Sequence, residues 1–215
     1  MTFAARGLLF AVLADGPTDS ALLPILRWAP RQADPDVVLR QPVFQVRNPA
    51  GAPIPDAVRK LIENHGPDLV FVHRDAEGAL QEVRLLGIPR HELVVPVVPV
   101  RMTEAWLLVD EQAIRRASGN PNGKEPLSLP PVGRLEREPD PKRLLLDLLR
   151  TASGLHGRRL KRFRSVPALR RVADFIADFS ALRGLPAFRR FESDLRATYP
   201  RTRAIGRSKA GAFNT

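Results

Sequence analysis

Short apolar runs along the first half of the chain mark its predicted strands, at 8–14, 37–46, 69–72 and 93–100. The first and third runs contain no polar residue and therefore predict fully buried strands. Pro42 weakens the second run and favours an edge position for it. Pro96 and Pro99 interrupt the fourth run, which is expected to be a less regular strand.

Amphipathic segments separate these runs. Apolar residues recur at helical spacing at 17–28, 56–64 and 79–86, and Thr103 is expected to cap a further helix that carries Trp106. Strands that alternate with helices of about ten residues imply right-handed crossovers. The pattern therefore predicts an α/β fold, with a mostly parallel four-stranded sheet flanked by helices.

The pattern changes after residue 117, which predicts a boundary there. Four prolines and two glycines fall at 118–131, so 118–133 is expected to be a loop or linker. The region 134–199 is helical in pattern, with Asp140-Pro141 suited to start a helix. We expect a core at 1–117, a basic helical extension packed on it at 134–199, and a flexible basic tail at 200–215.

The net positive charge of the chain comes entirely from its second half. Residues 1–110 hold 11 Lys and Arg against 13 Asp and Glu, a net charge of −2, whereas residues 111–215 hold 23 against 10, a net charge of +13. Such an asymmetry indicates a polyanionic partner. The alternative is free use of arginine by a GC-rich genome. The candidate nucleic-acid contacts are the basic side chains of the richest run, Arg158, Arg159, Lys161, Arg162 and Arg164.

Composition excludes several kinds of site. The chain has no cysteine, so it has no disulfide framework, thiol nucleophile or thiolate metal ligand. No apolar stretch approaches the roughly 20 residues of a membrane span, and the N-terminal apolar run reads as a strand and not as a signal peptide. The expected partners therefore include no membrane, and the cytoplasm is the expected compartment.

Acidic residues follow the two uninterrupted apolar runs. Asp15 comes directly after the first run, and Asp75 and Glu77 come shortly after the third. Since ligands gather outside the carboxyl ends of parallel strands, these carboxylates are expected to converge and bind a hard cation, Mg²⁺ or Mn²⁺. His73 is expected to orient this loop or end the strand, although it could be a ligand. The alternative is that acids simply favour loop exits and helix N-caps.

The order of these features resembles the Toprim domain of topoisomerases, primases and overcoming-lysogenization-defect nucleases. In that family a Glu-Gly follows the first strand and an Asp-x-Asp follows a later one. The corresponding segments here are Asp15-Gly16-Pro17-Thr18-Asp19 and Asp75-Ala76-Glu77-Gly78. The residue types differ at 15 and 77, where Asp stands for Glu and Glu for Asp. The shorter side chain at 15 affects general acid or base duty more than metal binding.

A closer resemblance is to a small bacterial Toprim-like group, domain-of-unknown-function family 4276. It rests on Pro99-x-Arg101-x-x-Glu104-x-Trp106-Leu107-Leu108-x-Asp110, on Glu136, and on Asp140-Pro141-Lys142. The resemblance implies a separate partner ATPase and a place in phage defence. Glu104 would be a further ligand or catalytic group, and Arg101 would stabilise phosphoryl charge. In the alternative, Glu104 complements a helix dipole and Arg101 pairs with it.

Together these features favour a metal-dependent nuclease. Asp75 and Glu77 would bind the ion, Asp15 would act as ligand or proton-transfer group, and the basic second half would hold the strand. The alternative is a non-catalytic protein that binds or regulates a partner ATPase or nucleic acid. Phosphoryl transfer on a small nucleotide is a third hypothesis. The choice between DNA and RNA stays open, as does a homo-oligomer.

Overall fold

Four parallel strands form the centre of the molecule in a computed structural model that describes residues 7–48, 50–76 and 81–211. The sheet order is β2-β1-β3-β4. All residues of β1 and β3 are buried, and β2 lies at one edge directly after Pro42, as predicted. The strands span Phe10–Ala14 (β1), Val43–Val46 (β2), Leu69–His73 (β3) and Val94–Val97 (β4). The predicted α/β fold is confirmed.

The register brings the carboxyl ends of the strands level. Ala14 of β1 lies beside Val46 of β2, and His73 of β3 lies beside Val97 of β4. Residues that immediately follow these positions therefore emerge along the same rim. This is the rim on which the sequence places its acidic residues.

Three helices connect the strands. α1 spans Leu23–Ala33, α2 spans Ile54–His65 and α3 spans Gln81–Leu86. The segment after β1 begins as a 3₁₀ helix, Pro17–Leu22, before α1. α2 ends at Gly66, whose φ of 54° lies in the left-handed region that glycine adopts without strain.

The prediction of an α-helix capped by Thr103 is wrong both in where the helix begins and in which residue caps it. Thr103–Leu107 is a 3₁₀ helix without a side-chain cap, and the α-helix that follows, α4, spans Glu111–Ala117. Asp110 caps α4, because its Oδ1 accepts the Ala113 N–H at 2.9 Å. The Thr103 hydroxyl lies instead between side chains at the sheet rim, described below.

Helices predominate among the described residues after the segment at 118–131. Asp140 Oδ1 accepts the Arg143 N–H at 2.9 Å, and Pro141 occupies the first position of α5, as predicted. The last helix continues beyond the expected boundary at 199. No helix within the described ranges is long and apolar enough to cross a membrane. The helices span Pro141–Ala152 (α5), Gly157–Lys161 (α6), Ser165–Phe175 (α7) and Pro186–Gly211 (α8).

Alternate residues of the strands face two hydrophobic clusters. Ala11 and Leu13 of β1 face a smaller cluster under α2. Phe10 and Val12 face a larger one that runs from Leu8 to Tyr199 and includes residues of α1, α4, α5, α7 and α8. The Trp106 ring lies 5.3 Å from the Phe188 ring of α8, centroid to centroid. The C-terminal helices therefore complete the core on one face of the sheet.

Candidate metal centre

Three side chains meet at the carboxyl rim of the sheet, namely Asp19, His73 and Asp75. One ligand atom from each lies within 4.8 Å of the other two. His73 Nε2 is 3.6 Å from Asp19 Oδ2 and 3.4 Å from Asp75 Oδ1. Two carboxylate oxygens and one imidazole nitrogen thus form a group that could hold a metal ion.

The protonation of His73 follows from its two ring nitrogens. Nδ1 lies 3.0 Å from the carbonyl oxygen of Val97, which can only accept, so we assign a proton to Nδ1. Nε2 then faces the two carboxylates. A metal-binding histidine commonly uses its other ring nitrogen in this way, because the hydrogen bond fixes the tautomer and the ring orientation.

The electrostatics of His73 combine two opposing effects. The imidazole is fully buried, and burial disfavours its charged form. The Asp75 and Asp19 carboxylates favour that form and outweigh burial, so the pKa of His73 is raised. Without a metal ion, a proton on Nε2 stabilises the group by attracting both carboxylates.

Two backbone segments hold the carboxylates in place. The Gly16 N–H donates to Asp19 Oδ2 at 2.7 Å, which ties Asp19 to the turn after β1. The Thr103 N–H donates to Asp75 Oδ1 at 3.0 Å, and the Thr103 hydroxyl lies 3.2 Å from His73 Nε2. Asp19 is only 6% exposed, and this burial raises its pKa, while His73 opposes the rise. The segment after β4 thus braces the site.

Asp15 lies outside this group of three ligand atoms. Its Oδ1 is 3.1 Å from Arg47 Nε and its Oδ2 is 3.8 Å from Arg74 Nε. Asp15 is still near enough to raise the pKa of Asp19 by charge repulsion. Its expected role as a ligand or proton-transfer group stays a prediction. Glu77, the other expected ligand, falls in 77–80, outside the described residues.

Glu104 is buried beside the centre. It is 6% exposed, and its Oε1 lies 3.7 Å from Lys142 Nζ of α5. Burial raises the pKa of Glu104, and repulsion from Asp75 and Asp19 adds to the rise, whereas Lys142 lowers it. Glu104 is therefore a carboxyl group held near the metal-site group and inclined to keep its proton.

Arg101 does not pair with Glu104, in contrast to the alternative sequence interpretation. It is half-buried just before the 3₁₀ helix, and within the described ranges it makes no hydrogen bond or ion pair. Its guanidinium is thus available to a ligand. Lys142 takes the place at Glu104 that the alternative sequence interpretation gave to Arg101.

The predicted nucleic-acid contacts lie on and after α6. Arg158, Arg159 and Lys161 belong to α6, and Arg162 and Arg164 connect it to α7. All five are exposed, and none makes an ion pair within the part of the chain that the structure describes. Their positive charges are therefore not compensated by an acidic side chain among the described residues.

The sequence did not single out two of the three metal-site residues. Asp19 was part of a quoted motif but had no role, and His73 was expected mainly to orient the loop. The spacing of Asp15 and Asp19 was the available signal, because a tight turn after the strand can return the second carboxylate to the rim. For His73, its place as the last residue of a buried strand was the corresponding signal.

Comparison with known proteins returned no family model, no curated protein and no solved structure that matches this chain. The fold and the site therefore define the class as far as it is shown: an α/β protein with a parallel sheet and a group at its carboxyl rim that could hold a metal ion.

Proposed function

We propose that this chain is a metal-dependent phosphodiester hydrolase that acts on nucleic acid. The observation that carries the proposal is the buried group of Asp19, His73 and Asp75, in which one imidazole nitrogen faces two carboxylates. The resemblance to the Toprim-like family supports the reaction class, because its acidic segments coincide with the positions after β1 and β3 from which this group is built.

The donor set favours Mn²⁺ over Mg²⁺. Both ions suit carboxylate oxygen, but an imidazole nitrogen is a poorer ligand for the hard Mg²⁺ than for the later divalent metals. Asp19, His73 and Asp75 would hold the ion, with the Val97 carbonyl orienting the imidazole. When bound, the ion would polarise a scissile phosphate and lower the pKa of a water nucleophile.

The neighbouring residues offer complementary chemistry. Glu104 keeps its proton more readily than an exposed carboxyl, so it could donate that proton to the leaving oxygen. Arg101, without a partner among the described residues, could balance charge on the phosphoryl group. Arg47 and Arg74 neutralise Asp15 and limit its repulsion of an incoming phosphate.

One observation favours a second candidate, a non-catalytic protein that binds or regulates a partner ATPase or nucleic acid. A protonated His73 satisfies both carboxylates without any metal ion, so the same group could be purely structural. We propose this as the alternative. The partner ATPase, the place in phage defence and the cytoplasmic compartment likewise rest on the resemblance and the composition.

Calorimetric titration of the purified chain with Mn²⁺ and Mg²⁺ tests the favoured proposal. We expect one Mn²⁺ site that is lost in Asp75→Ala and retained in Asp36→Asn, a control at an exposed aspartate remote from the rim. Labelled DNA and RNA, single-stranded and duplex, should be cleaved by the wild type with Mn²⁺ and not by Asp75→Ala. Absence of Mn²⁺ binding, even with nucleic acid present, would reject the catalytic function in favour of the alternative.

A further inference from the structure

We propose that a furrow along α5 is the path of the nucleic-acid strand, and that Lys142 is the positioning residue that joins this path to the metal centre. The proposal rests on the proposed function only in naming the strand as a substrate. Three observations carry it: the continuity of the furrow, its connection to Glu104, and the charges along it.

Two neighbouring cavities lie beside α5, and we infer from their shared lining residues that they form one furrow. The first, about 380 Å³, contains Lys142 and Arg143 at one end and Arg150 at the other. The second, about 450 Å³, begins at Arg150 and ends at Leu160 of α6. Asp147 and Arg150 line both cavities, so the two meet along the exposed side of the helix.

Lys142 connects this furrow to the candidate centre. Its side chain lines the first cavity and is 40% exposed, while its Nζ lies 3.7 Å from Oε1 of the buried Glu104. The same residue therefore borders both the solvent-filled furrow and the carboxyl group next to the metal-site residues. A phosphate in the furrow could contact Lys142 and lie close to the centre at the same time.

The cations of the first cavity could contact a phosphate backbone. In that cavity Lys142, Arg143 and Arg150 stand beside Asp140 and Asp147, which both contact Arg143, and the second cavity adds the acid Glu125. Asp140 Oδ1 accepts the Arg143 N–H at 2.9 Å, and Asp147 Oδ2 lies 3.9 Å from Arg143 Nε. Arg150 forms no ion pair with any described residue. Arg150 is thus available to a phosphate at one end, and at the other end the partly exposed Lys142 could contact a phosphate while it stays near Glu104.

The far end of the furrow adjoins the basic run that the sequence singled out. Leu160, which lines the second cavity, stands between Arg159 and Lys161 on α6. Lys142 and Arg150 are two i, i+4 steps apart on one side of α5, which corresponds to about 12 Å. This distance spans about three to four nucleotides at about 3.4 Å per nucleotide of one strand.

Binding in the absence of metal tests this path without cleavage. Fluorescence anisotropy in EDTA would measure labelled single-stranded DNA, single-stranded RNA and duplex DNA over a salt series. The double variant Lys142→Met, Arg150→Met removes both charges and keeps most of the apolar stem. Its matched control is Lys60→Met, Arg40→Met, which removes two exposed charges outside the furrow.

We expect the furrow variant to bind at least about tenfold more weakly at low salt, with the control close to wild type. Loss of two phosphate contacts should reduce the log–log salt slope by about 1.4 on a single strand and about 1.8 on a duplex. The single variant Lys142→Arg keeps a positive charge at 142 and should bind with wild-type affinity. The single variant Lys142→Met removes that charge and should bind more weakly. Because arginine would also restore the ion pair with Glu104, the change in salt slope is the readout that separates a contact to phosphate from a structural role.

Several outcomes would overturn the path. One is equal nucleic-acid binding by the furrow variant and its control, and another is no nucleic-acid binding by the wild type at low salt. A third is that an oligo-glutamate peptide binds more tightly than nucleic acid and that this binding depends on the furrow residues, which would indicate an acidic protein partner. The two proposals fail separately. If the wild type cleaves nucleic acid and the furrow variant still binds it normally, only the proposed path is rejected. If binding depends on the furrow but the wild type does not cleave nucleic acid in Mn²⁺, only the proposed hydrolase function is rejected.

Discussion

At the scale of single residues, a proton and a metal ion compete for one nitrogen atom. His73 Nε2 faces Asp19 and Asp75, and either a proton or a divalent cation can neutralise the repulsion between these carboxylates. The choice matters because the imidazole is buried and, among the described residues, neither carboxylate forms an ion pair with a second cation. Metal binding should therefore release a proton from His73.

Stability of the metal-free protein should decrease as the pH rises above about 6.5, the usual pKa of an unfolded histidine. The pKa of His73 is raised in the folded state, so its contribution is complete below that value and disappears as the pH passes the folded pKa. Urea unfolding in EDTA from pH 6 to pH 9 would measure this. His73→Gln should flatten the dependence.

Saturating Mn²⁺ should abolish this decrease above about pH 6.5, since the ion binds only the deprotonated Nε2 and the metal-bound protein then has no His73 proton to lose. The wild type without metal is the matched comparison. A stability that is independent of pH in both conditions would contradict the exchange of proton and metal at His73.

Glu104→Gln should stabilise the protein while reducing any cleavage. Burial raises the pKa of Glu104, so its ionised form opposes folding above about pH 4.5, and the variant removes that penalty. We expect a gain of about 1 kcal/mol in the free energy of unfolding at pH 7, by urea denaturation, and no gain near pH 4. A stability gain with loss of activity is typical of residues kept for function.

The exposed Glu63→Gln provides the control for that variant. Glu63 lies 3.7 Å from Arg59 in a surface pair, and such pairs contribute little. A clear loss of stability in Glu104→Gln at pH 7 would show that Glu104 serves the fold through Lys142.

The sequence predicted this site only in part, for a physical reason. Asp75 follows a buried strand directly, so its place on the rim depends on strand order alone. Asp19 returns to the rim only because the chain forms a 3₁₀ helix whose Gly16 N–H holds the carboxylate. The Lys142–Glu104 contact joins residues far apart in sequence, and no local pattern specifies such a pair.

At the scale of elements, local chemistry fixed several boundaries well. β1 and β3 agree with their apolar runs because burial on both faces requires continuous apolar residues, whereas the less buried β2 covers only 43–46 of the run at 37–46. Asp140-Pro141 began a helix as predicted. Thr103 did not act as a cap, because tertiary contacts with His73 and Asp75 engage its hydroxyl, a competition that periodicity does not reveal.

Gly66→Ala should destabilise the protein by about 1 kcal/mol. An added Cβ would meet no atom within 4 Å, so the expected loss comes from the left-handed backbone at φ 54° alone. Gly133→Ala is the matched control, because that site is equally open and its φ is not in the left-handed region. Thermal unfolding would compare the two, and equal midpoints would contradict the backbone explanation.

At the scale of the whole molecule, the segments before and after the predicted linker share one hydrophobic core. Phe10 of β1 and Phe188 of α8 belong to the same cluster, which Trp106 joins by ring contact with Phe188. The composition change at 118–133 coincides with the change from alternating strands and helices to helices alone among the described residues. It could not show that the helices beyond it cover the sheet, because packing between distant segments leaves no local signature.

A fragment of residues 1–117 should therefore fail to fold independently. It lacks the helices α5, α7 and α8, whose residues complete the larger cluster over the sheet. We expect poor amide dispersion in its NMR spectrum and no cooperative thermal transition, against one transition for the full chain. Phe188→Ala in the full chain, with an expected loss of about 3–5 kcal/mol, would probe the same core without truncation. Cooperative melting of the fragment would establish a separate domain.

The position of β1 in the centre of the sheet also has a consequence for biosynthesis. β1 is translated before the other strands of the sheet, yet its partner β3 and the Phe188 side chain that helps cover its face come much later. At about 5–20 residues per second, roughly 10–40 s separate translation of Phe10 from that of Phe188. Throughout that interval the nascent chain carries an uncovered apolar strand, which makes it a natural client for ribosome-associated chaperones.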